Sequence, residues 1–205
     1  QTEKENGMHT DRWNSSEFLI ELPQVDFNPD KFFNAVQDYK FEHYVNAYGK
    51  STPQQVCYDP NVAKESIVQH YLNVFKDFDI RLDPPTDNHK HGTGLNGWSL
   101  IKSDMSENGL VCHIDAKRPA CITFPLTFPQ TLNLHESKHS DVLHTYTYKP
   151  AIMILNSGSK WHSVSKTSEP RWQFQLDCWN TWEEIHKLVK THQYRKLQYL
   201  SLIHI

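Results

Sequence analysis

The chain has 205 residues, a length that suits one domain with a single sizeable core. Its 21 Lys and Arg nearly balance its 24 Asp and Glu, and because no basic run stands out, the sequence predicts no nucleic-acid partner. No segment approaches the roughly 20 consecutive apolar residues that span a bilayer, so no membrane partner is expected either.

The sequence predicts a single domain over 1–205. Its first 96 residues are expected to form helices and a strand that support the core. Asn28 followed by proline is typical of a helix start, because the asparagine caps the helix and the proline occupies its first turn. The predicted elements are a strand over 16–22, a helix from Asn28 to Tyr39, a loop over 50–61, a helix over 62–75 and a flexible loop over 84–94 that helps to close a site.

Residues 97–179 predict the core of the domain, because about eight short strands follow one another there, separated by turns. A terminal helix is expected within 180–205, over 181–191, with Thr181 as its N-cap. Helices first and then many short strands favour a mainly β, α+β fold. In it an antiparallel double sheet carries helices packed on one face.

The four cysteines, Cys57, Cys112, Cys121 and Cys178, form no Cys-x-x-Cys pair, so a zinc ribbon is not expected. The polar stretch 1–16 lacks the apolar centre of a signal peptide. Reduced thiols and a cytoplasmic location are therefore expected.

The sequence contains three His-x-Asp tripeptides, of which only His113-Ile-Asp115 lies at the end of an apolar stretch. Residues i and i+2 of a strand point to the same face, so His113 and Asp115 can bind one ion from a strand end. Chance supplies about one such tripeptide in a chain of this composition. Taken alone, the pattern fits a strand-end histidine near a turn aspartate equally well.

A second signal comes from the strands that follow. His162 lies on a predicted strand of its own, and Arg171 begins the next one, which alternates cleanly between two faces. One face carries Arg171, Gln173, Gln175 and Asp177, and the other carries Trp172, Phe174 and Leu176. The polar face of this strand could be wholly solvated. If the strands that carry His162 and Arg171 are instead antiparallel neighbours, the two side chains lie in one cavity.

Two imidazoles and one carboxylate with open positions suit non-haem Fe(II) that binds O2 and an organic co-substrate. The planar guanidinium of Arg171 suits a bidentate clamp on a carboxylate. The residues therefore predict a metal site with a nearby anion site.

His113-x-Asp115, His162 and Arg171 on successive strands resemble the 2-oxoglutarate/Fe(II)-dependent oxygenases. Segments 113–118 and 161–177 are most similar to the aspartyl/asparaginyl β-hydroxylase-like branch. The resemblance covers about 97–179. Some members of that branch lack the metal carboxylate, whereas this chain has Asp115. This difference bears on which class of substrate the chain would take and not on its metal chemistry.

The resemblance implies a double-stranded β-helix, a jelly-roll and cupin-like core, and an Fe(II) ion held by His113, Asp115 and His162. It also implies 2-oxoglutarate as co-substrate on Arg171, with Arg118 and Gln173 as further candidates for its binding. O2 is the oxidant, and the reaction is hydroxylation of an unactivated C–H bond of an amino-acid, peptide or small-molecule substrate. For Arg118, a structural ion pair is an equal alternative.

Two other functions compete with this interpretation. His135-Glu136-x-x-His139 matches a zinc metalloprotease motif, but the motif needs a helix and its surroundings predict a strand and a polar turn. A non-oxidative, metal-binding cupin-like protein would use the same barrel. Arg171 argues against it, because such a protein has no need of a dicarboxylate clamp.

Overall fold

Two antiparallel sheets form the centre of the protein, which is described by a computed structural model over residues 15–46, 49–83, 97–115 and 118–203, with side chains through 192. Seven strands form the larger sheet, in the order β1 (Leu19–Leu22), β9 (Ile152–Leu155), β6 (Ala120–Pro125), β11 (Arg171–Cys178), β4 (Trp98–Ser103), β3 (Ser51–Cys57) and β2 (Glu42–Val45). Four strands form the smaller sheet, in the order β5 (Leu110–His113), β10 (Trp161–Val164), β7 (Thr131–His135) and β8 (Val142–Thr147).

From β4 to β11 the chain passes from one sheet to the other at every connection except that between β7 and β8, which pair within the smaller sheet, and this is the path of a jelly roll. The predicted fold class, mainly β with flanking helices around a double-stranded β-helix, is confirmed. The eight strands predicted between 97 and 179 correspond to β4–β11. The predicted loop 84–94 lies outside the described residues.

Helices α1 (Pro29–Val36), α2 (Ser66–Asp77) and α3 (Trp182–Ile203) pack on the outer face of the larger sheet. Phe32 of α1 and Phe75 of α2 are fully buried there against Phe124 of β6, and Phe32 also contacts Phe174 of β11. Such aromatic pairs add to the stability that their buried area supplies. Within the described residues, no helix is both long and apolar enough to cross a bilayer.

A second core lies between the two sheets and includes Met105, Leu132, Leu134, Met153 and Leu155. It contains fewer large apolar side chains than the helix-side core, because the inner face of β11 is polar. Phe174 and Leu176 belong to the helix-side core, as the alternation of this strand predicts. The wholly solvated interpretation of its other face is wrong, since Arg171, Gln173 and Asp177 are only 5%, 6% and 1% exposed.

The sequence-based prediction of a loop over 50–61 is wrong, because residues Ser51–Cys57 form β3 between β2 and β4. Pro53 and the polar residues around it indicate a loop. The strand nevertheless forms, since backbone pairing with β4 and burial of Val56 and Cys57 outweigh the weak strand propensity of its first residues.

Helix starts follow their local signals more closely. The side chain of Asn28 accepts a hydrogen bond from the backbone N–H of Lys31, so it caps α1 as predicted, with Pro29 as the first helical residue. The second helix begins at Ser66 rather than 62, because Pro60–Lys64 form a separate 3-10 turn. The last helix continues to Ile203, beyond its predicted end at 191.

Thr181 caps α3 in a reciprocal arrangement with Glu184. The backbone N–H of Glu184 donates to Thr181 Oγ1 at 3.2 Å, and the backbone N–H of Thr181 donates to Glu184 Oε2 at 3.0 Å. We expect Thr181→Ala to lower the free energy of unfolding by about 1 kcal/mol, because the helix loses a cap. The matched control is Thr191→Ala, which only removes a hydroxyl that donates to the Lys187 carbonyl within the helix. Urea unfolding of both variants measures the difference, and equal midpoints would contradict the capping role.

Candidate metal centre

Three side chains converge at one end of the smaller sheet. His113 is the last residue of β5, and His162 lies directly opposite it on β10. Asp115 follows two residues after His113, and its Oδ1 lies 3.6 Å from His113 Nε2 and 3.8 Å from His162 Nε2. One ligand atom from each of the three residues lies within 4.8 Å of the others, so the structure brings together the three predicted metal ligands.

Both imidazoles are oriented by backbone carbonyls. His113 Nδ1 lies 2.8 Å from the carbonyl oxygen of Val111, and His162 Nδ1 lies 2.9 Å from that of Lys160. When each Nδ1–H donates to its carbonyl, the lone pair of each Nε2 is directed at the centre of the site. The histidines are therefore held in the tautomer that a metal needs.

The two histidines differ in their surroundings. Burial lowers the pKa of His162 to about 4, so this imidazole is neutral near pH 7. Burial also opposes the charged form of His113, but the hydrogen bond and charge of Asp115 outweigh it and raise the pKa of His113. The His113 side chain is 38% exposed against 7% for His162, so the site is reached from the His113 side. A bound cation would replace the proton on His113.

Asp115 is ionised despite its burial. Burial opposes its charge, but the Arg118 guanidinium and the two histidines hold the pKa of Asp115 well below its usual value. Arg118 Nε donates to Asp115 Oδ2 at 2.8 Å, which leaves Oδ1 directed at the imidazoles. A charged carboxylate oxygen with two neutral nitrogens is the donor set that Fe(II) prefers in oxygenases, so the residues present fit this ion.

The turn between β9 and β10 positions the segment that carries Asp115. The backbone N–H of Asp115 donates to the Ser157 carbonyl at 2.8 Å, and that of Gly158 donates to the Pro119 carbonyl at 2.9 Å. A Cβ atom on Gly158 would lie 2.5 Å from the Arg118 carbonyl oxygen. Only glycine permits this close approach of the turn to Arg118 and Pro119. The turn therefore fixes the position of Asp115 relative to β10.

We expect Gly158→Ala to weaken binding of Mn(II) about tenfold, the scale seen when support of a metal ligand is lost, and to destabilise the fold by about 1–3 kcal/mol through overpacking. The matched control is Gly49→Ala, where a Cβ meets nothing within 4 Å. This control has a positive φ of 72°, so it loses some stability but should keep its metal affinity. Titration calorimetry distinguishes the two variants, and wild-type affinity in Gly158→Ala would contradict the role of the turn.

Arg171, at the start of β11, is a buried cation that lacks an acidic partner among the described residues. Its guanidinium lies 5.9 Å from the ring centre of Tyr148, and its Nε is buried without a hydrogen-bond partner. Burial lowers the pKa of Arg171, although the group stays protonated. Leaving a buried charged donor unsatisfied is costly, which indicates that an anionic group completes this site.

A line of buried and half-buried amides connects the two charged regions along β11. Gln175 accepts a hydrogen bond from Arg118 Nη2 at 3.0 Å and donates to Gln173 at 2.9 Å, and Gln173 donates to Gln130 at 2.8 Å. Gln173 is 6% exposed, and its side-chain amide is hydrogen-bonded to the amides of Gln130 and Gln175. The inner wall of the barrel is polar from Asp115 to Arg171.

Arg118 is engaged on three sides. It donates to Asp115, to Gln175 and, through Nη1 at 3.0 Å, to Asp177 Oδ1. Its surroundings are those of the structural ion pair that the sequence left open as an alternative. The alternation of β11 places Asp177 on the face of Arg171, but no local pattern in the sequence identifies Asp177, Tyr148 or Gln130 as part of the site.

The zinc metalloprotease alternative is wrong. His135 is the last residue of strand β7, and residues 136–141 form a turn rather than a helix. The two nitrogens of His135 lie 3.1 Å from the Ser140 carbonyl and 2.8 Å from Ser163 Oγ. Since the motif is not helical, His135 and His139 do not share the face that a zinc ion requires.

No protein-family model and no curated protein matches this sequence. Among solved structures, the chain is similar to a prolyl hydroxylase in complex with a hypoxia inducible factor oxygen degradation domain peptide fragment from Trichoplax adhaerens, with 17% identity, coverage of 77% of this chain and 78% of that chain, and a TM-score of 0.49. It is similar to IDO from Bacillus thuringiensis, with 10% identity, coverage of 80% and 93%, and a TM-score of 0.48.

A third similar structure is an oxidoreductase of the 2OG-Fe(II) oxygenase family from Burkholderia pseudomallei, with 8% identity, coverage of 72% and 76%, and a TM-score of 0.43. Likeness of this degree carries no argument about activity.

Proposed function

We propose that this chain is a 2-oxoglutarate- and Fe(II)-dependent dioxygenase that hydroxylates an unactivated C–H bond of an amino-acid, peptide or small-molecule substrate. The observation that carries the proposal is Arg171, a buried guanidinium with an unsatisfied Nε on the inner wall of the barrel that also bears the three metal ligands. A metal triad alone serves many reactions, whereas the triad with a buried cation matches a co-substrate that has a chelating end and an anionic end.

His113, Asp115 and His162 would hold Fe(II), and Arg171 would bind the far carboxylate of 2-oxoglutarate. Arg171 lies four residues along β11 from Gln175, or about 13 Å at the usual rise of a strand. Gln175 is in turn linked through Arg118 to Asp115. Asp115 and Arg171 therefore lie at the two ends of one row of polar side chains on the inner wall of the barrel.

Bound Fe(II) would supply activation of O2, with conversion of 2-oxoglutarate to succinate and CO2 and oxidation of a substrate C–H bond. The chain itself supplies orientation and exclusion of water. Arg171 lies beside Tyr148, which is 6% exposed, on the same wall as the buried amides of Gln130 and Gln173. In such surroundings, shielded from solvent, a carboxylate–guanidinium pair is stronger than in water.

A non-oxidative, metal-binding cupin-like protein would use the same three ligands. Arg171 favours the oxygenase, because a protein that only binds a metal gains nothing from a buried cation that has no acidic partner among the described residues, and such a charge lowers its stability. Consumption of 2-oxoglutarate distinguishes the two functions.

The similarity of segments 113–118 and 161–177 to the aspartyl/asparaginyl β-hydroxylase-like branch favours an amino-acid side chain as the substrate, free or in a peptide. The test is an assay of succinate release with Fe(II), ascorbate and 2-oxoglutarate against separate panels of free amino acids, peptides and oligonucleotides. We expect stimulation by the amino acids or the peptides. Stimulation by oligonucleotides alone would overturn the substrate class, and no turnover in the presence of bound metal with any panel would overturn the oxygenase.

A further inference from the structure

The two oxygens of the Asp115 carboxylate have different surroundings. Oδ1 lies between the two imidazole nitrogens, at 3.6 Å and 3.8 Å. Oδ2 accepts a charge-assisted hydrogen bond of 2.8 Å from Arg118 Nε. The carboxylate is 12% exposed, so water competes little for Oδ2.

Arg118 cannot easily release this oxygen, because its planar guanidinium is fixed at three points. Nε binds Asp115, Nη1 binds Asp177 Oδ1 at 3.0 Å, and Nη2 binds Gln175 Oε1 at 3.0 Å. The side chains of Arg118 and Asp177 are only 6% and 2% exposed, and both Asp177 and Gln175 lie on strand β11. Rotation of the guanidinium away from Asp115 would break all three hydrogen bonds at once.

Resting on the proposed function, we infer that Arg118 is a positioning residue that restricts Asp115 to a single coordinating oxygen and so keeps half of an octahedral metal's positions open. A carboxylate that is free to turn can bind a cation through both oxygens. It would then occupy a position that a chelating co-substrate and O2 need together. Arg118 prevents this by competing for Oδ2 with a fixed, permanently charged donor.

The ion pair with Asp177 explains how the cation itself is held. Without an acceptor at position 177, Nη1 would be left unsatisfied in a buried site, and the guanidinium would be free to turn away from Asp115. Asp177 supplies this acceptor from the far side, since its carboxylate is almost fully buried against Nη1. Two carboxylates, one guanidinium and two histidines thus form one connected unit around a single metal position.

The experiment uses Mn(II) as the probe and compares wild type with two variants. Asp177→Asn keeps an oxygen for Nη1 and leaves the bond between Arg118 and Asp115 in place, so it is the matched control. Arg118→Met with Asp177→Asn removes the guanidinium without leaving Asp177 as an unpaired buried charge, and Gln175 keeps its bond to Gln173. Broadening of the Mn(II) paramagnetic-resonance lines in oxygen-17-enriched water reports how many water molecules coordinate the ion.

We expect the same broadening in wild type and in Asp177→Asn, and the loss of one coordinated water in the double variant, as Asp115 Oδ2 takes its position. Binding of 2-oxoglutarate to the Mn(II) form should weaken about tenfold in the double variant, the scale of losing an outer partner of a metal ligand. Equal broadening in the double variant and the control, with Mn(II) bound in both, would overturn the inference. A purely structural role for Arg118 would alter stability but would not change the count of water molecules.

If the double variant does not fold, wild type alone decides. A crystal structure with Mn(II) in which both Asp115 oxygens contact the ion overturns the inference, and one in which Oδ2 stays on Arg118 supports it. Failure of the proposed function gives a different result. In that case wild type binds Mn(II) with Oδ2 on Arg118 but never converts 2-oxoglutarate to succinate.

Discussion

Replacement of His162 by alanine should abolish stoichiometric binding of Fe(II) or Mn(II) while the chain still folds. Among the residues that the structure describes, His162 supplies one of three ligand atoms that lie within 4.8 Å of one another, so its loss leaves two. We expect the metal affinity to fall by more than the roughly 10–100-fold that loss of an outer-shell partner costs. The fold should survive, because the imidazole is neutral at pH 7 and its removal strands no buried charge.

The matched control for this prediction is His135→Ala. His135 is a buried histidine on the neighbouring strand β7, 7% exposed, and its Cα pairs with that of Trp161 beside His162. It should keep one metal per chain, measured by elemental analysis after anaerobic gel filtration. Stoichiometric metal in His162→Ala, or an equal loss in His135→Ala, would remove the basis for the metal centre.

Replacement of Arg171 by leucine should weaken 2-oxoglutarate binding by about 30-fold or more, with the affinity for metal unchanged. Removing one member of a buried ion pair costs about 2–5 kcal/mol, and about 1.4 kcal/mol corresponds to a factor of ten. The 2-oxoglutarate affinity of Arg171→Lys should lie between those of wild type and Arg171→Leu, because lysine keeps the charge and loses the planar pair of donors. Calorimetric titration of the Mn(II)-loaded protein under anaerobic conditions measures these affinities.

Lys166→Leu is the matched control, since it removes a positive charge from an exposed position in the turn before β11. It should leave the 2-oxoglutarate affinity unchanged. The metal-free Arg171→Leu variant should also be at least as stable as wild type, because the arginine has no ion-pair partner among the described residues to lose. Unchanged 2-oxoglutarate affinity in a folded Arg171→Leu variant would rule out this role.

The sequence predicts those parts of the site that depend on residues close together in the chain. His113 and Asp115 lie on one strand end, and the alternation of β11 sets Phe174 and Leu176 on one face and Arg171 and Gln173 on the other. Eight short strands with turns between them were enough to indicate a double sheet. In these cases a spacing of two residues carries the structural information directly.

The parts that the sequence did not predict depend on contacts between distant segments. Tyr148 follows β8 and meets Arg171 only through the path of the chain between the sheets. Arg118 has neighbours from β11 that no local pattern assigns to it. Likewise, β3 forms where Pro53 and polar residues favour a loop, since its pairing with β4 outweighs its own propensity.

The direct pairing of His113 with His162 across β5 and β10 has a kinetic consequence. Because these strands are far apart in the chain, a large loop must close before both histidines face one ion, and such distant pairings form slowly in folding. If the chain binds Fe(II) as proposed, an ion present during synthesis would find no high-affinity site until the barrel is nearly complete. Bound metal would then stabilise the native state by mass action and slow its opening. Metal binding would thus be a late event in folding, restricted to molecules in which both sheets have assembled.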